Sequence, residues 1–328
     1  MNDVIDADGP ATPELALEQY RVELTGYCYR MLGSPFEAED AVQDTMVRAW
    51  RGHDRFEGRS SLRSWLYRIA TNVCLDMLKG KERKARPTDF TTVGSAENPT
   101  LTTHPENTWL APTPDHKVLV GGDPADVVVS RDSVRLAFVA ALHHLPARQR
   151  AVLILREVLA WQASEVAELL DTSVASVNSA LQRARATLAS VDVAATDLDE
   201  PADEAQRELL AKYVKAFESY DLESLASLLH EDVTLSMPPF ELWLSGADEI
   251  RAWMLGVGNG CRGSRMIPVV SANGTPAFGQ YRPAGPGLYE PWALQVIEIS
   301  QGRIIGLNSF LDTEHLFPLF GLPREFES

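Results

Sequence analysis

The sequence predicts a multidomain chain in which two all-α domains precede an α+β domain. Its 328 residues exceed what one hydrophobic core usually contains. Apolar residues recur at helical spacing through residues 14–86 and 126–190, whereas strand-like runs such as EPWALQVIEI and IIGLNSF appear only near the end. We therefore divide the chain into helical domains at 1–90 and 126–192, a linker at 91–125 and a third domain at 205–328. The linker is rich in Pro, Thr and Gly and lacks periodicity.

Charge is distributed unevenly along this chain, whose formal net charge is −16. Residues 48–86 contain eleven basic and four acidic side chains, whereas residues 189–328 contain nine basic and 21 acidic ones. A polyanion such as DNA is attracted to the first block and repelled by the second. The two halves are therefore predicted to perform different tasks.

Composition also argues against several classes of protein. The first residues are acidic and lack the apolar core of a signal peptide, and no apolar run approaches the roughly 20 residues that span a bilayer. The three cysteines, Cys28, Cys74 and Cys261, lie far apart and form no CxxC pair. We expect a cytoplasmic protein with no disulfide, no metal, no cofactor and no membrane partner.

The run SPFEAEDAVQDTMVRAW predicts the start of a long helix in the first domain. Ser34 is suited to cap it, Pro35 to occupy its first position, and Glu37 to complete a capping box. Glu37, Asp40 and Asp44 form one acidic stripe, opposite an apolar side with Val42, Met46, Ala49 and Trp50. The stripe fits either a solvated face or a docking surface for a basic partner.

The following basic segment mixes arginine with aromatic side chains. Trp65, Arg68 and Asn72 share one helix face, close in sequence to Phe56, Arg59 and Arg63. Bases of single-stranded DNA stack on aromatic rings while arginines hold the phosphates, so this pattern favours a single-strand contact. A core position for Trp65 is equally consistent with the spacing.

The run from Leu145 to Leu188 divides into three short helices and predicts a helix-turn-helix. Ser173 is suited to cap the last helix, whose inward face would carry Val174, Val177, Leu181, Ala184 and Leu188. Its other faces offer small, amide and guanidinium groups suited to base edges and phosphates: Ser176, Asn178, Ser179, Gln182, Arg183 and Arg185. An ordinary amphipathic hairpin gives a similar pattern.

Three of these runs together resemble one family. EAEDAVQDTMVRAW, FEGRSSLRSWLYRIATNVCLDMLK and LPARQRAVLILREV are similar to bacterial RNA polymerase sigma factors of the extracytoplasmic-function (ECF) group. The resemblance implies that Asp40 and Asp44 bind core polymerase. It also implies that the basic segment opens the minus-ten element and that the last helix, capped by Ser173, reads the minus-thirty-five element. Family members often carry lysine at the position of Asn178, so one phosphate contact is expected to be weaker.

The third region resembles SnoaL-like domains, the α+β cone shared by polyketide cyclases and ketosteroid isomerases, through the run from Glu208 to Met254. Such a cone usually leaves a pocket. Its aromatic residues are candidates for that pocket or for the core: Trp243, Trp253, Tyr281, Trp292 and Phe310. Asp312 and His315 fit a polar pair at the mouth or on the surface. Because no convincing acid/base pair emerges, we expect a regulatory binding domain with no catalytic residue, whose small ligand, if any, is open.

The linker run TWLAPTPD is similar to a signature found between the sigma domains of ECF relatives that carry such an extension. We expect Trp109 and Leu110 to dock on the third domain, although packing on the nearest domain fits equally well. The sequence thus predicts a promoter-specificity subunit that binds core RNA polymerase and promoter DNA. Its activity would be modulated in cis by an acidic third domain that covers the promoter-reading surfaces or repels DNA from them. The alternatives are a SnoaL-type enzyme or ligand sensor fused to a DNA-binding module, and a repressor that binds duplex DNA alone.

Overall fold

The structure is a computed structural model that describes residues 13–58, 60–121, 131–190 and 204–327. We name its parts the first helical module (13–86), the linker (87–121), the second helical module (131–190) and the sheet domain (204–327). None of the helices in these ranges combines the length and apolar character that crossing a bilayer demands.

The first helical module contains α1 (Pro13–Glu18), α2 (Arg21–Leu32), α3 (Pro35–Gly52) and α4 (Leu62–Met77). As predicted, Ser34 caps α3, because its Oγ accepts a hydrogen bond from the Glu37 amide at 3.4 Å. The predicted capping box is wrong. The Glu37 carboxylate instead binds Lys81 at 2.8 Å and Lys84 at 3.3 Å, and so ties α3 to the basic tail of the module.

The linker is largely extended and contains only α5 (Asp115–Val118) and single turns at Pro87–Asp89 and Glu106–Thr108. Its first half runs beside the sheet domain through main-chain hydrogen bonds. Gly94 donates to the Trp243 carbonyl at 2.9 Å, Glu241 to that of Thr102 at 3.0 Å, and His104 to that of Pro239 at 3.1 Å. The linker is therefore an ordered strap and not a loose connection.

The second helical module contains α6 (Leu136–His143), α7 (Ala147–Leu153), α8 (Ala163–Leu169) and α9 (Val174–Ser190). A π-helical turn over Ile154–Val158 continues α7. Helix α9 packs against α7 and α8 through Val177, Leu181 and Ala184, which are buried. Val174, which the spacing placed inward, is 43% exposed because the first turn of α9 projects beyond the module core.

The sheet domain opens with two helices, α10 (Glu204–Ser219) and α11 (Leu222–Leu228). The strands are β1 (Leu229–Ser236), β2 (Trp243–Ser245), β3 (Arg265–Ala272), β4 (Thr275–Gly285), β5 (Leu288–Ser300), β6 (Arg303–Phe310) and β7 (Phe326–Glu327), with α12 (Ala247–Leu255) and α13 (Thr313–Leu319) between them. Their order is β2-β1-β6-β5-β4-β3, with β7 beside β5. Only the β1–β6 pair is parallel among these described pairs.

The hydrophobic core does not follow the predicted domain boundaries. One continuous cluster runs from Leu17 in the first module to Ala184 in the second, so the two helical modules share a core. A second cluster fills the space between the sheet and its own helices. A third joins the sheet and α13 to Leu136 of the second module, with Phe36 of the first module packed against it. All three predicted domains are therefore in contact.

Candidate nucleic-acid and protein interfaces

Helix α9 presents the polar surface that a major-groove reader needs. Ser173 caps the helix as predicted, accepting a hydrogen bond from the Ser176 amide at 3.1 Å. The side chains proposed for minus-thirty-five DNA are all exposed: Ser173, Ser176, Asn178, Ser179, Gln182, Arg183 and Arg185. The buried residues of the helix, Val177, Leu181 and Ala184, lie on its opposite side. No part of the chain that the structure describes covers the polar surface.

The two arginines of α9 have different surroundings. Arg185 forms an ion pair with Glu157, on the π-helical turn of the same module. Arg183 makes no hydrogen bond or ion pair with the residues that the structure describes. Its guanidinium is therefore the one of the two that can bind a phosphate or a guanine without first giving up a protein partner.

The residues predicted to contact the minus-ten element lie along α4 and the turn before it. Phe56 packs on Trp65 with ring centroids 4.9 Å apart, and Trp65 is half-buried against the shared core. Asn72 is exposed. Arg59 lies outside the described residues. In this pair each ring therefore covers part of the other from solvent. The sequence alone does not show this contact.

Both remaining arginines of this set are engaged by protein groups. Arg63 donates to Glu23 at 3.0 Å, and its guanidinium lies 5.5 Å from the ring centre of Trp161 in the second module. Arg68 donates to the main-chain carbonyl of Glu168, on α8, at 2.9 Å, and its charge lies 3.6 Å from the Glu168 carboxylate. The second helical module therefore covers part of the surface that the sequence assigned to minus-ten DNA.

The acidic stripe of α3 is only partly as predicted. Asp40 is exposed, and Asp44 pairs with Arg48 at 2.7 Å. Two apolar residues near this stripe are also exposed. Val47, which sequence reasoning missed, is 40% exposed, and Trp50, which the spacing placed on the apolar side, is 60% exposed. The signal was present in the sequence, because residues 40, 44, 47 and 51 follow one another at helical spacing, with Trp50 adjacent. Exposed aromatic residues are typical anchors of protein interfaces.

The contact between the two helical modules buries two guanidinium groups. Arg30 on α2 donates to the Ser133 hydroxyl at 2.7 Å, and Arg150 on α7 donates to the carbonyls of Met31 and Leu142. Burial lowers the pKa of each arginine to about 10. Arg150 forms no ion pair with a carboxylate among the described residues, and main-chain carbonyls accept from its guanidinium instead. A buried charge held in this way depends on those hydrogen bonds.

His143 lies in the same interface, beside Arg150. Its ring is 3% exposed and would meet a Cβ placed on Gly33 of the first module at 2.7 Å. Burial and the neighbouring Arg150 hold the pKa of His143 well below its usual range, and Lys84, His144 and Arg83 act in the same direction. The packed arrangement therefore requires a neutral imidazole.

A hairpin of the sheet domain joins both modules and the linker. The β3–β4 turn, Asn273-Gly274, inserts between them, and the Asn273 side chain accepts from the Thr113 amide at 2.9 Å. Its amide group donates to the Tyr29 hydroxyl at 2.7 Å and to the Val134 carbonyl at 2.6 Å. Beside it, Asp115 accepts from the Gly274 amide at 2.8 Å and from the Ser271 hydroxyl at 2.5 Å. Of these residues only Thr113 and Asp115 belong to a run noted in the sequence, TWLAPTPD, and no role for either followed from it.

The linker residues predicted to dock, Trp109 and Leu110, separate in the structure. Leu110 belongs to the core of the helical modules, and its main chain pairs with Ala85. Trp109 packs against Phe90 and His104 within the linker and also faces a cavity walled by the sheet domain. Trp109 therefore packs within the linker at the edge of a cavity shared with the sheet domain, whereas Leu110 chiefly fills the helical core beside Gly33.

The five aromatic residues offered for a ligand pocket do not line one cavity. Only Trp253 and Trp292 face the space inside the cone. Tyr281 packs on Phe317 and donates to the Pro323 carbonyl, Phe310 belongs to the third cluster, and Trp243 donates to the Thr91 carbonyl of the linker at 2.9 Å. These three therefore take core or linker-contact positions, one of the two alternatives that the sequence left open, because alternate strand positions point to opposite faces of the sheet.

The interior of the cone offers little room and little acid/base chemistry. The cavity there is about 30 Å³ and is lined on its polar side by Tyr213, Gln280, Gln295 and Ser309. Tyr213 donates to Gln295 at 2.6 Å and Gln295 to Gln280 at 2.8 Å, so these groups satisfy one another. The described lining contains neither a carboxylate nor an imidazole. General acid/base catalysis at this place lacks its usual groups.

One group of side chains near the linker has the composition of a metal site. Ligand atoms of Glu106, Asp312 and His315 all lie within 4.8 Å of one another. His315 Nδ1 bonds Asp312 Oδ1 at 2.8 Å, and this contact raises the pKa of His315. Asp312 also caps α13. The Asp312–His315 pair foreseen from the sequence thus exists, at the edge of the sheet domain.

Family comparisons agree with this architecture. The family model for Sigma-70 region 2 matches residues 16–84, that for Sigma-70, region 4 matches residues 135–188, and that for the SnoaL-like domain matches residues 210–306. The chain is 44% identical over 315 residues to the ECF RNA polymerase sigma factor SigG of Mycobacterium tuberculosis, covering 93% of this chain and 82% of that protein.

Two further similarities concern SigJ of the same organism. The curated ECF RNA polymerase sigma factor SigJ is 27% identical over 304 residues, which is 88% of each chain. The crystal structure of M. tuberculosis extracytoplasmic function sigma factor SigJ superposes with a TM-score of 0.58 and 23% identity, over 94% of this chain and 99% of that one. The second comparison supports the fold, including the attached sheet domain.

Proposed function

The chain belongs to the ECF family of RNA polymerase sigma factors and thus directs core RNA polymerase to specific promoters, and from this premise we propose how its surfaces divide the work. Helix α3 binds the polymerase through Asp40 and Asp44, with Val47 and Trp50 as the apolar part of the same contact. The 60% exposure of Trp50, beside Val47 at 40%, supports this assignment. We expect it to act in the cytoplasm, where polymerase and chromosome meet.

Promoter recognition is proposed for two separate surfaces. In α9, Ser179, Gln182 and Arg183 face the minus-thirty-five element, while Arg185 contributes after releasing Glu157. In α4, Arg63, Arg68 and Asn72 hold the opened minus-ten strand, and the Phe56–Trp65 pair supplies rings for its bases. The exposed polar face of α9 and the clustering of arginine and aromatic residues on α4 support these roles.

The packed arrangement is proposed to be the silent form of the protein. The minus-ten and minus-thirty-five elements are about 25 base pairs apart, as their positions before the transcription start indicate. This corresponds to about 85 Å at a rise of ~3.4 Å per base pair. In the structure, however, Arg68 of the minus-ten helix lies 2.9 Å from the Glu168 carbonyl of the helix-turn-helix. Because modules in direct contact cannot reach two promoter elements that lie this far apart, the modules must separate before initiation. That contact is the observation on which this proposal rests.

The sheet domain is proposed to act in cis by holding the two modules together. Its β3–β4 turn bonds the first module, the linker and the second module at once, through the single side chain of Asn273. This differs from the expectation that acidic charge alone covers or repels. The contacts that the minus-ten arginines make outside their own module are with Trp161 and Glu168 of the second module. The sheet domain acts one step further away, as the clamp.

A reversible crosslink between the modules tests the proposal. Ser64 on α4 and Glu165 on α8 line the same cleft at the module contact and are replaced by cysteine in a Cys261→Ser background. A reducible bis-maleimide is expected to abolish promoter-dependent transcription with core polymerase, and reduction is expected to restore it. Each single-cysteine variant, treated identically, is the control. Transcription by the crosslinked chain at the rate of the untreated chain would show that separation is unnecessary.

A further inference from the structure

A cavity of about 250 Å³ lies between the linker and the sheet domain. The linker contributes Trp109 and Leu110 to its walls, and the sheet domain contributes Phe240, Phe310 and Leu316. The cavity is partly open to solvent and has about eight times the volume that one water occupies in the liquid. It is therefore large enough for a small aromatic molecule, unlike the space of about 30 Å³ inside the cone.

The mouth of this cavity is negatively charged. Glu106 and Asp312 both line it, and Glu314 lies near enough to act on the charge of His315. His315 is the one basic group in this set and is already bonded to Asp312 at 2.8 Å. The Glu106 carboxylate makes no hydrogen bond or ion pair within the described part of the chain. An acceptor is thus available at the rim of an apolar chamber.

We propose that this cavity binds a small organic cation, with an apolar or aromatic body between Trp109 and Phe240 and a protonated amine on the carboxylates of Glu106 and Asp312. Aromatic walls attract a cationic ligand, and ammonium–carboxylate hydrogen bonds are stronger than neutral ones. An apolar chamber with a few converging polar groups is the usual form of a small-molecule site. A carboxylate-bearing molecule of the same shape would be repelled at the mouth.

The position of the cavity gives such a ligand a consequence for the whole chain. Four of its lining residues, Glu106, Trp109, Leu110 and Ala111, belong to the linker and the others to the sheet domain, so the ligand binds only while the two are packed together. By mass action it stabilises the packed arrangement by RT ln(1 + c/Kd), where c is the ligand concentration, and this gain grows with the logarithm of c once the site is filled. This regulatory consequence rests on the proposed function, whereas binding itself does not.

Binding is tested with the full chain and without polymerase, using three probes of one shape. Tryptamine carries the amine, 3-ethylindole is neutral and indole-3-propionate is acidic. Protein-observed NMR titration at neutral pH is expected to show saturable binding of tryptamine, weaker binding of 3-ethylindole and none of the acid. Equal binding of the acid and the amine, or no saturable binding of tryptamine, would overturn the proposal.

Two variants locate the site. Glu106→Gln is expected to weaken tryptamine about fivefold while leaving 3-ethylindole unchanged, and the exposed Glu97→Gln is its matched control. Ala111→Leu, which fills the cavity, is expected to remove binding of both probes. Tryptamine binding that survives Ala111→Leu contradicts the proposal. So does binding of Mn²⁺ alone through Glu106 that excludes the amine, since the site would then be a metal site.

Discussion

Replacing Asn273 with glycine should release the two helical modules from each other. Asn273 adopts a left-handed backbone with φ of 54°, and Gly274 follows at 74°. Glycine accepts this conformation without strain, so the hairpin turn is kept and only the side-chain amide is removed. The variant therefore isolates the contacts that this amide makes to the first module, the linker and the second module.

The magnitude follows from the groups left behind. Without the amide, the Thr113 N–H and the Val134 carbonyl lose their partners, and both residues are fully buried at 0% exposure. A buried orphan group costs about 1–3 kcal/mol, whereas water satisfies it once the modules separate. The packed arrangement should thus lose about 3 kcal/mol relative to the open one, which changes their ratio about 150-fold.

Distance measurement between the modules reports this shift directly. Spin labels are placed at Gln43 on α3 and Ala189 on α9, both exposed, in a Cys261→Ser background. The parent chain is expected to give one narrow distance, and Asn273→Gly a broad distribution reaching longer distances. Transcription with limiting core polymerase should rise in parallel.

The control uses a second hairpin with the same backbone. Gln301 in the β5–β6 turn has φ of 50°, and Gly302 follows at 69°. Gln301→Gly therefore repeats the entropic effect of the substitution at an exposed position of the sheet domain. If Asn273→Gly folds and keeps the narrow distance of Gln301→Gly, the hairpin is not what holds the modules together.

Three other predictions follow from the exposed and buried groups. Trp50→Ala should weaken binding to core polymerase about thirtyfold, as loss of a ~2 kcal/mol anchor would. Titration of each variant with core polymerase measures the affinity, and Leu255→Ala, at an exposed residue of the sheet domain, is the control. Equal losses of affinity in the two variants would refute the α3 contact. Because the pKa of His143 is lowered when packed, the packed arrangement is fully stable above pH ~6.5 and weakens as the pH falls below it, by at most about 1.4 kcal/mol per unit. His143→Gln should remove this dependence of the spin-label distances. Arg183→Ala should reduce discrimination between an intact and a scrambled minus-thirty-five element more than Arg185→Ala, since Arg185 already has a partner; holoenzyme binding to both templates measures it.

Local structure was largely predictable because its causes lie within a few residues. The cap at Ser173 and the turn at Gln301-Gly302 depend on groups at most three positions away, so the sequence displays them directly. The capping box of Glu37 failed for the opposite reason. Its carboxylate binds Lys81, a residue 44 positions further along the chain, and no local sequence pattern predicts a contact at that distance.

Periodicity predicted faces of helices and strands but not what covers them. The apolar side of α3 was correctly placed inward at Val42 and Ala49, yet Trp50 on the same side is exposed at the helix end. The sequence left open which aromatic residues of the sheet domain line a pocket and which lie in the core, because strand register and pleat assign each one to a face.

The sequence by itself determined the sigma-type helices, the exposed polar face of α9, the basic and acidic halves and the order of the domains, since these are set by composition and short-range spacing. Only the tertiary structure decided that Arg68 contacts Glu168 and that Asn273 joins three segments. Those contacts link residues 100 to 244 positions apart. Their strength comes from burial, and burial exists only once distant segments have excluded water from one another.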